Sequence, residues 1–193
     1  ATTDWSYELC TAPEQLLWSR LSVFIGGFDL GTAVEVCADD QLPAESVVDA
    51  VAGLVAKSVV SRVADDRRAR FRDTMNARLL AWSARIMVDS ATHWYGPDQV
   101  TKATVVQDNL GNVRAALEFA MDSRADPDLT AVATHALGSA RFLWACGISG
   151  REHRMWLTKA LDLPHAGDRN KARMFGVLAL LQTLQGDRES AAF

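Results

Sequence analysis

The chain has no run of roughly 18 to 20 apolar residues, so no segment reads as a bilayer-spanning helix. Its first ten residues, ATTDWSYELC, lack the basic and apolar regions of a secretory signal, and a cytoplasmic location is expected. Cysteine is scarce: Cys10, Cys37 and Cys146 are an odd number at long spacings, which fits reduced thiols packed as small hydrophobes, not a disulfide framework. No GxxxxGK[ST] stretch is present, so nothing here would cradle and hydrolyse a nucleotide, and Gly26-Gly27-Phe28 reads as a helix terminus. What remains is ordinary globular composition, 49% hydrophobic and 23% charged over 193 residues, enough for one domain or two small ones.

Charge is unevenly placed. Residues 1 to 66 carry three basic residues (Arg20, Lys57 and Arg62) against eleven acidic ones, whereas residues 67 to 124 are net +3 and residues 125 to 193 net +1. A domain that neutralises phosphates must present Lys and Arg, so the first third is a poor nucleic-acid binder.

Periodicity is helical almost throughout. Pro13 suits a first helical position, and Leu16, Leu17, Leu21 and Phe24 form a stripe ending at Gly26-Gly27. Asp29 can cap a short second helix carrying Ala33, Val34 and Val36, and a third opens at Pro43 with Val47, Val48, Val51, Leu54 and Val55 on one face. The β-branched run SVVSRV (58–63), the polar turn ADDRR and the run ARFR (69–72) predict a hairpin. Three helices and a hairpin make a winged-helix domain over residues 1–72, and the fold class is mainly α.

Residues 73–193 read as a helical-repeat arm, with helices expected near 74–95, 100–123, 128–146, 150–162 and 169–185. Pro97-Asp98 separates the first two, Gly147 provides a left-handed cap, and Pro164, Gly167 and Gly186 close the rest. Phe175, Leu178, Ala179, Gly186 and Ala191 fit tetratricopeptide offsets, with Gln182 in place of an aromatic. Gly147 and Gly186 lie 39 residues apart against a standard period of 34, so the arm is tetratricopeptide-like. The chain starts at Ala1 and stops at Phe193, about one turn into a partner helix. We therefore expect a piece of a longer protein, truncated within its arm and prone to homo-oligomerise through an uncapped end.

Several sharper functions are disfavoured. The third helix carries Glu45 and Asp49 with one basic residue, Lys57, which would push acid towards a DNA backbone, although Arg67, Arg68 and Arg70 could touch one. Cys146 and His153 lie seven apart, and His93, His135 and His165 are isolated, so no metal site is expected. Glu152-His153 lacks a second metalloprotease His, neither Ser139 nor Ser149 has a visible base, and no enzyme activity is expected. Trp144 and Trp156 flank a turn where aromatics fill gaps between repeat units.

The segments LLWSRLSVFIGGFDLGTAVEVCA, VVDAVAGLVAKSVV and RFR, with Asn109, Leu110, Ala116 and Leu117 and then Trp144, Gly147, Glu152, Trp156 and Leu157, resemble STAND-class bacterial regulators of the LuxR-type and AfsR-like group. The resemblance spans about residues 5 to 164. It implies a winged helix that acts as a lever between a neighbouring ATP/ADP-binding module and a helical sensor arm engaged by a protein or small-molecule inducer. DNA would then be read by a separate domain, with no cofactor in this chain and no membrane. It also implies Arg70 and Arg72, beside Asp73, as contacts to nucleotide or to that module, and Phe71, Trp82, Trp94 and Trp144 as inter-domain packers. Where the family continues through a Leu-x-Thr-Ile-Arg run, this chain reads RFRDTMNARLLAW and is one or two residues shorter. Two rival functions stay open: a winged helix that binds DNA directly, and a helical scaffold that binds a partner protein or peptide.

Overall fold

The computed structural model describes residues 7–25, 27–57, 69–122 and 126–184, with side chains in the third stretch from residue 73 onward. The fold is mainly helical, and the chain divides into two compact units, Ala1–Leu79 and Leu80–Phe193. No helix among the described residues is long and apolar enough to cross a membrane.

The first unit holds three short helices, α1 (Ala12–Leu21), α2 (Leu30–Cys37) and α3 (Ala44–Ala56), each packed on the other two. Helix α1 starts where Pro13 can begin a helix without a lost hydrogen bond and where the Thr11 N–H donates to Glu14 Oε2 at 2.6 Å. It ends at Leu21, earlier than the Gly26-Gly27 stop read from the sequence. Asp29 caps α2 as expected, accepting from the Thr32 N–H at 2.7 Å, and α3 follows Pro43. The core gathers Leu17, Val36, Leu42, Val47 and Leu54. The buried stripe of α3 is narrower than the sequence indicated: Val47, Ala50 and Leu54 face inward, whereas Val48 is 40% and Val55 67% exposed.

Among the described residues the expected hairpin is not seen. Its first strand, 58–63, lies outside the described residues, and its second, 69–72, is instead the start of α4 (Ala69–Thr92). Alanine and arginine are strong helix formers, and no glycine or proline interrupts residues 69 to 92, so helical propensity carries through a segment that pairing would have had to extend. Residue 72, the expected domain boundary, therefore falls inside a helix whose residues are shared between the two units.

The second unit contains the rest of α4, then α5 (Gln99–Asp108), α6 (Leu110–Asp122), α7 (Pro127–Ser139), a 3₁₀ turn at Leu143–Cys146, α8 (Gly150–Leu161) and α9 (Asp168–Leu184). Two helices read as continuous are broken. Asn109 interrupts 100–123: its Nδ2 donates to the Val105 carbonyl at 3.0 Å and its Oδ1 accepts from Asn112 Nδ2 at 3.2 Å, a side chain competing with the helical ladder. Ala140, at φ −84° and ψ 57°, ends α7 ahead of the 3₁₀ turn. Gly147 takes φ 96°, the left-handed cap the sequence called for.

Helices α7, α8 and α9 pack pairwise. A Cβ on Gly138 of α7 would stand 3.0 Å from Arg173 Cβ and 3.3 Å from the Asn170 carbonyl of α9, so glycine sets this close approach. Beside it Asn170 Nδ2 donates to Thr134 Oγ1 at 3.1 Å.

Candidate functional site

In the first unit, the turn between α2 and α3 is clasped by two guanidinium groups. Arg20 lies on the α1 face that carries Leu17 and is completely buried. It donates to the Cys37 carbonyl at 2.5 Å and to Asp39 Oδ1 at 2.8 Å. Arg78, from α4, donates to the Ala38 carbonyl at 2.9 Å and to Asp39 Oδ2 at 3.2 Å. Asp39 also accepts from the Gln41 and Leu42 N–H groups, closing the turn. Burial alone would raise its pKa, but these donors, Arg20 foremost, hold the carboxyl below its ordinary value. The adjacent Cys37 thiol is pushed up to about 12 by burial despite the two arginines, and is inert as a nucleophile near neutrality.

A second ion pair ties α1 to the end of α3. Lys57 Nζ stands 2.5 Å from Glu14 Oε2, and the Glu14 carboxylate lies over Gly53, where a Cβ would overlap it. The Lys57 and Thr11 hydrogen bonds lower the Glu14 pKa against the effect of burial. As a result, both cations described in the acidic third of the sequence, Arg20 and Lys57, are engaged internally. The solvent face of α3 is left with Glu45, Val48, Asp49, Ala52 and Val55, a stripe at helical spacing with no basic residue.

The second unit joins the two motif stretches at residues 109–117 and 144–157. Arg114 of α6 grips Glu152 of α8 in a two-pronged pair, Nε to Oε1 at 2.6 Å and an amino nitrogen to Oε2 at 2.9 Å. Leu110 Cδ1 lies where a Cβ on Gly147 would stand 3.0 Å away. Ser149 caps α8 by accepting from the Glu152 N–H at 3.1 Å. Directly after this pair, His153 is fully buried, and neither ring nitrogen has a hydrogen-bond partner. Burial pushes its pKa down to about 4.

The residues singled out from the sequence fall in both units. Arg70, Phe71 and Arg72 fall in the first turn of α4, and their side chains lie outside the described residues. Trp82 is buried in the second unit. Trp94 stacks on Phe142 with ring centroids 4.4 Å apart, and Tyr95 meets the same ring edge-on at 5.8 Å. Trp144 is nearly half exposed. The cleft lined by Ser90, Trp94, Phe142 and Cys146 has room for about one water molecule. Among the described residues no group of three His, Cys, Asp or Glu side chains is placed to hold a metal ion.

Sequence reasoning missed the Arg20–Asp39–Arg78 clasp and the Arg114–Glu152 pair. The first had a signal, an arginine three residues from Leu17 on an apolar helix face, where a cation must find a buried partner. The second had none, since nothing local relates residues 38 positions apart.

Comparison with known proteins adds one observation. A 72-residue stretch, 37% of the chain, is 47% identical to a Mycobacterium tuberculosis protein provisionally named as an HTH-type transcriptional regulator, and equally to its Mycobacterium bovis counterpart. Part of this chain is similar to part of a transcriptional regulator. The stretch spans 8% of each relative's length. An uncharacterised M. tuberculosis protein is 51% identical over 41 residues, 21% of the chain and 10% of that relative. No family model and no solved structure matches.

Proposed function

We propose that this chain is a non-enzymatic regulatory segment of a transcription regulator, in which the three-helix unit works through protein contacts and DNA is read by a separate domain. The partial identity to proteins named as HTH-type transcriptional regulators supports the regulatory class. The observation that carries the finer reading is α3, the helix that would enter the major groove. It offers Glu45 and Asp49 to solvent while its single cation is held by Glu14. Bringing it to a phosphate backbone would oppose like charges without releasing counterions.

The resemblance to STAND-class regulators extends this reading. The three-helix unit would be a lever between an ATP/ADP-binding module and the helical arm, whose tetratricopeptide-like packing would receive an inducer. Among the described residues the glycines at positive φ, Gly147 and Gly167, lie beside helix ends in the second unit. Nucleotide belongs to the neighbouring module, with Arg70 and Arg72 at the start of α4 as its contacts.

The test joins the chain to the segment that precedes it in its gene and measures ADP affinity with and without Arg70→Ala and Arg72→Ala. A tenfold weakening, about 1.4 kcal/mol, is expected. Unchanged affinity would reduce the unit to a spacer.

A further inference from the structure

We infer that the solvent face of α3 is a docking surface for a basic amphipathic helix of a protein partner, an inference that rests on the protein-contact reading above. Glu45, Val48, Asp49, Ala52, Val55 and Ala56 recur at three- and four-residue steps and are all exposed. They form one stripe opposite the buried Val47, Ala50 and Leu54. Single exposed valines are ordinary, but here two valines and two alanines share a stripe, with both acids towards its N-terminal end. No Lys or Arg stands within α3, and Lys57, just past its C-terminal end, is paired with Glu14. Asp40 in the preceding turn is exposed as well and adds to the negative field.

That pattern fixes the chemistry of the occupant. The apolar centre excludes a bare polycation as the best fit, and the carboxylates repel nucleic acid and acidic peptides. A helix presenting leucine-like side chains flanked by Lys or Arg complements both features. The stripe runs about 16 Å, three helical turns, which suits a short helix and a small, exchangeable interface.

The experiment titrates the whole chain with a fluorescein-labelled 20-residue peptide carrying leucines at i, i+3, i+4 and i+7 and lysines on their flanks. A matched peptide has every lysine replaced by glutamate, and a labelled DNA duplex is the third ligand. Saturable binding of the lysine peptide is expected. It should weaken at least tenfold in the Glu45→Lys, Asp49→Lys double variant and in Val55→Asp, with no binding of the glutamate peptide. All three positions are solvent-exposed, and unchanged circular dichroism would verify each fold. Lysine-peptide binding that both variants leave intact, or no binding at all, would overturn the inference. If neither peptide nor duplex binds, the docking surface fails alone. Salt-dependent duplex binding would sink the protein-contact reading with it.

Discussion

His153 yields the sharpest stability prediction. A histidine free in an unfolded chain titrates near 6.5, whereas burial in α8, with neither ring nitrogen hydrogen-bonded, pushes it down to about 4 in the folded protein. At pH 8 both states are neutral and the group contributes no pH dependence. As pH falls through 6.5 the unfolded chain takes up a proton that the folded chain refuses, so stability drops with falling pH until the folded pKa is reached. This corresponds to about 3 kcal/mol lost between roughly pH 6.5 and 4. His153→Leu should abolish this slope. It should also add about 1 kcal/mol at pH 7, since an apolar side chain leaves no buried nitrogen without a partner. Asp89 and Glu152 do not confuse the window. Like Glu14 and Asp39, both are held below the ordinary carboxylate value by their cationic partners, so their contributions are lost only below about pH 5 and leave the upper part of the window to His153. Urea unfolding of wild type and variant at half-unit steps from pH 4 to 8 checks this. A variant with the wild-type slope between pH 5 and 6.5 would refute the reasoning.

Three further outcomes follow from the geometry. Asp39→Ala should cost about 3 kcal/mol, because it removes the carboxylate paired with the buried Arg20 guanidinium and leaves that charge on neutral acceptors such as the Cys37 carbonyl, whereas Arg78→Ala should cost no more than about 1 kcal/mol, its side chain being a third exposed. Equal costs in denaturant melts would contradict the clasp. Gly138→Val should cost about 1 to 3 kcal/mol by driving α7 off α9, and a neutral thermal melt would show that the approach at Arg173 and Asn170 is not tight. Cys37 should resist alkylating reagents in the folded chain at pH 8 and react once urea unfolds it; rapid native labelling would contradict its burial.

Much of the helical order was legible because it rests on local chemistry. Asp29 caps α2, Pro13 and Pro43 stand at the starts of α1 and α3, and Gly147 takes positive φ, each for reasons contained within a few residues. What escaped depends on competition or distance. Asn109 breaks a helix through two side-chain hydrogen bonds that propensity alone does not weigh. The run at 69–72 could pair as a strand or extend a helix, and its neighbours to Thr92 favour the helix. The Val47 to Val55 stripe has the period of one face, yet only part of it is buried, since burial depends on how closely α1 and α2 cover it. Charge reasoning argued against α3 as a DNA reader from Glu45 and Asp49, but the pairing of Lys57 with Glu14, 43 residues away, became visible only in three dimensions.

Whether the three-helix unit binds DNA decides between a protein-contact role and a DNA-reading one. Fluorescence anisotropy of a labelled duplex with the whole chain, at about 50 and 200 mM salt, tests this directly, because non-specific binders reach dissociation constants of roughly 10⁻⁴ to 10⁻⁶ M with a steep salt slope. The acidic face of α3 predicts no saturable binding at either salt. Micromolar binding that weakens steeply with salt would contradict the protein-contact role and return the unit to the DNA readers.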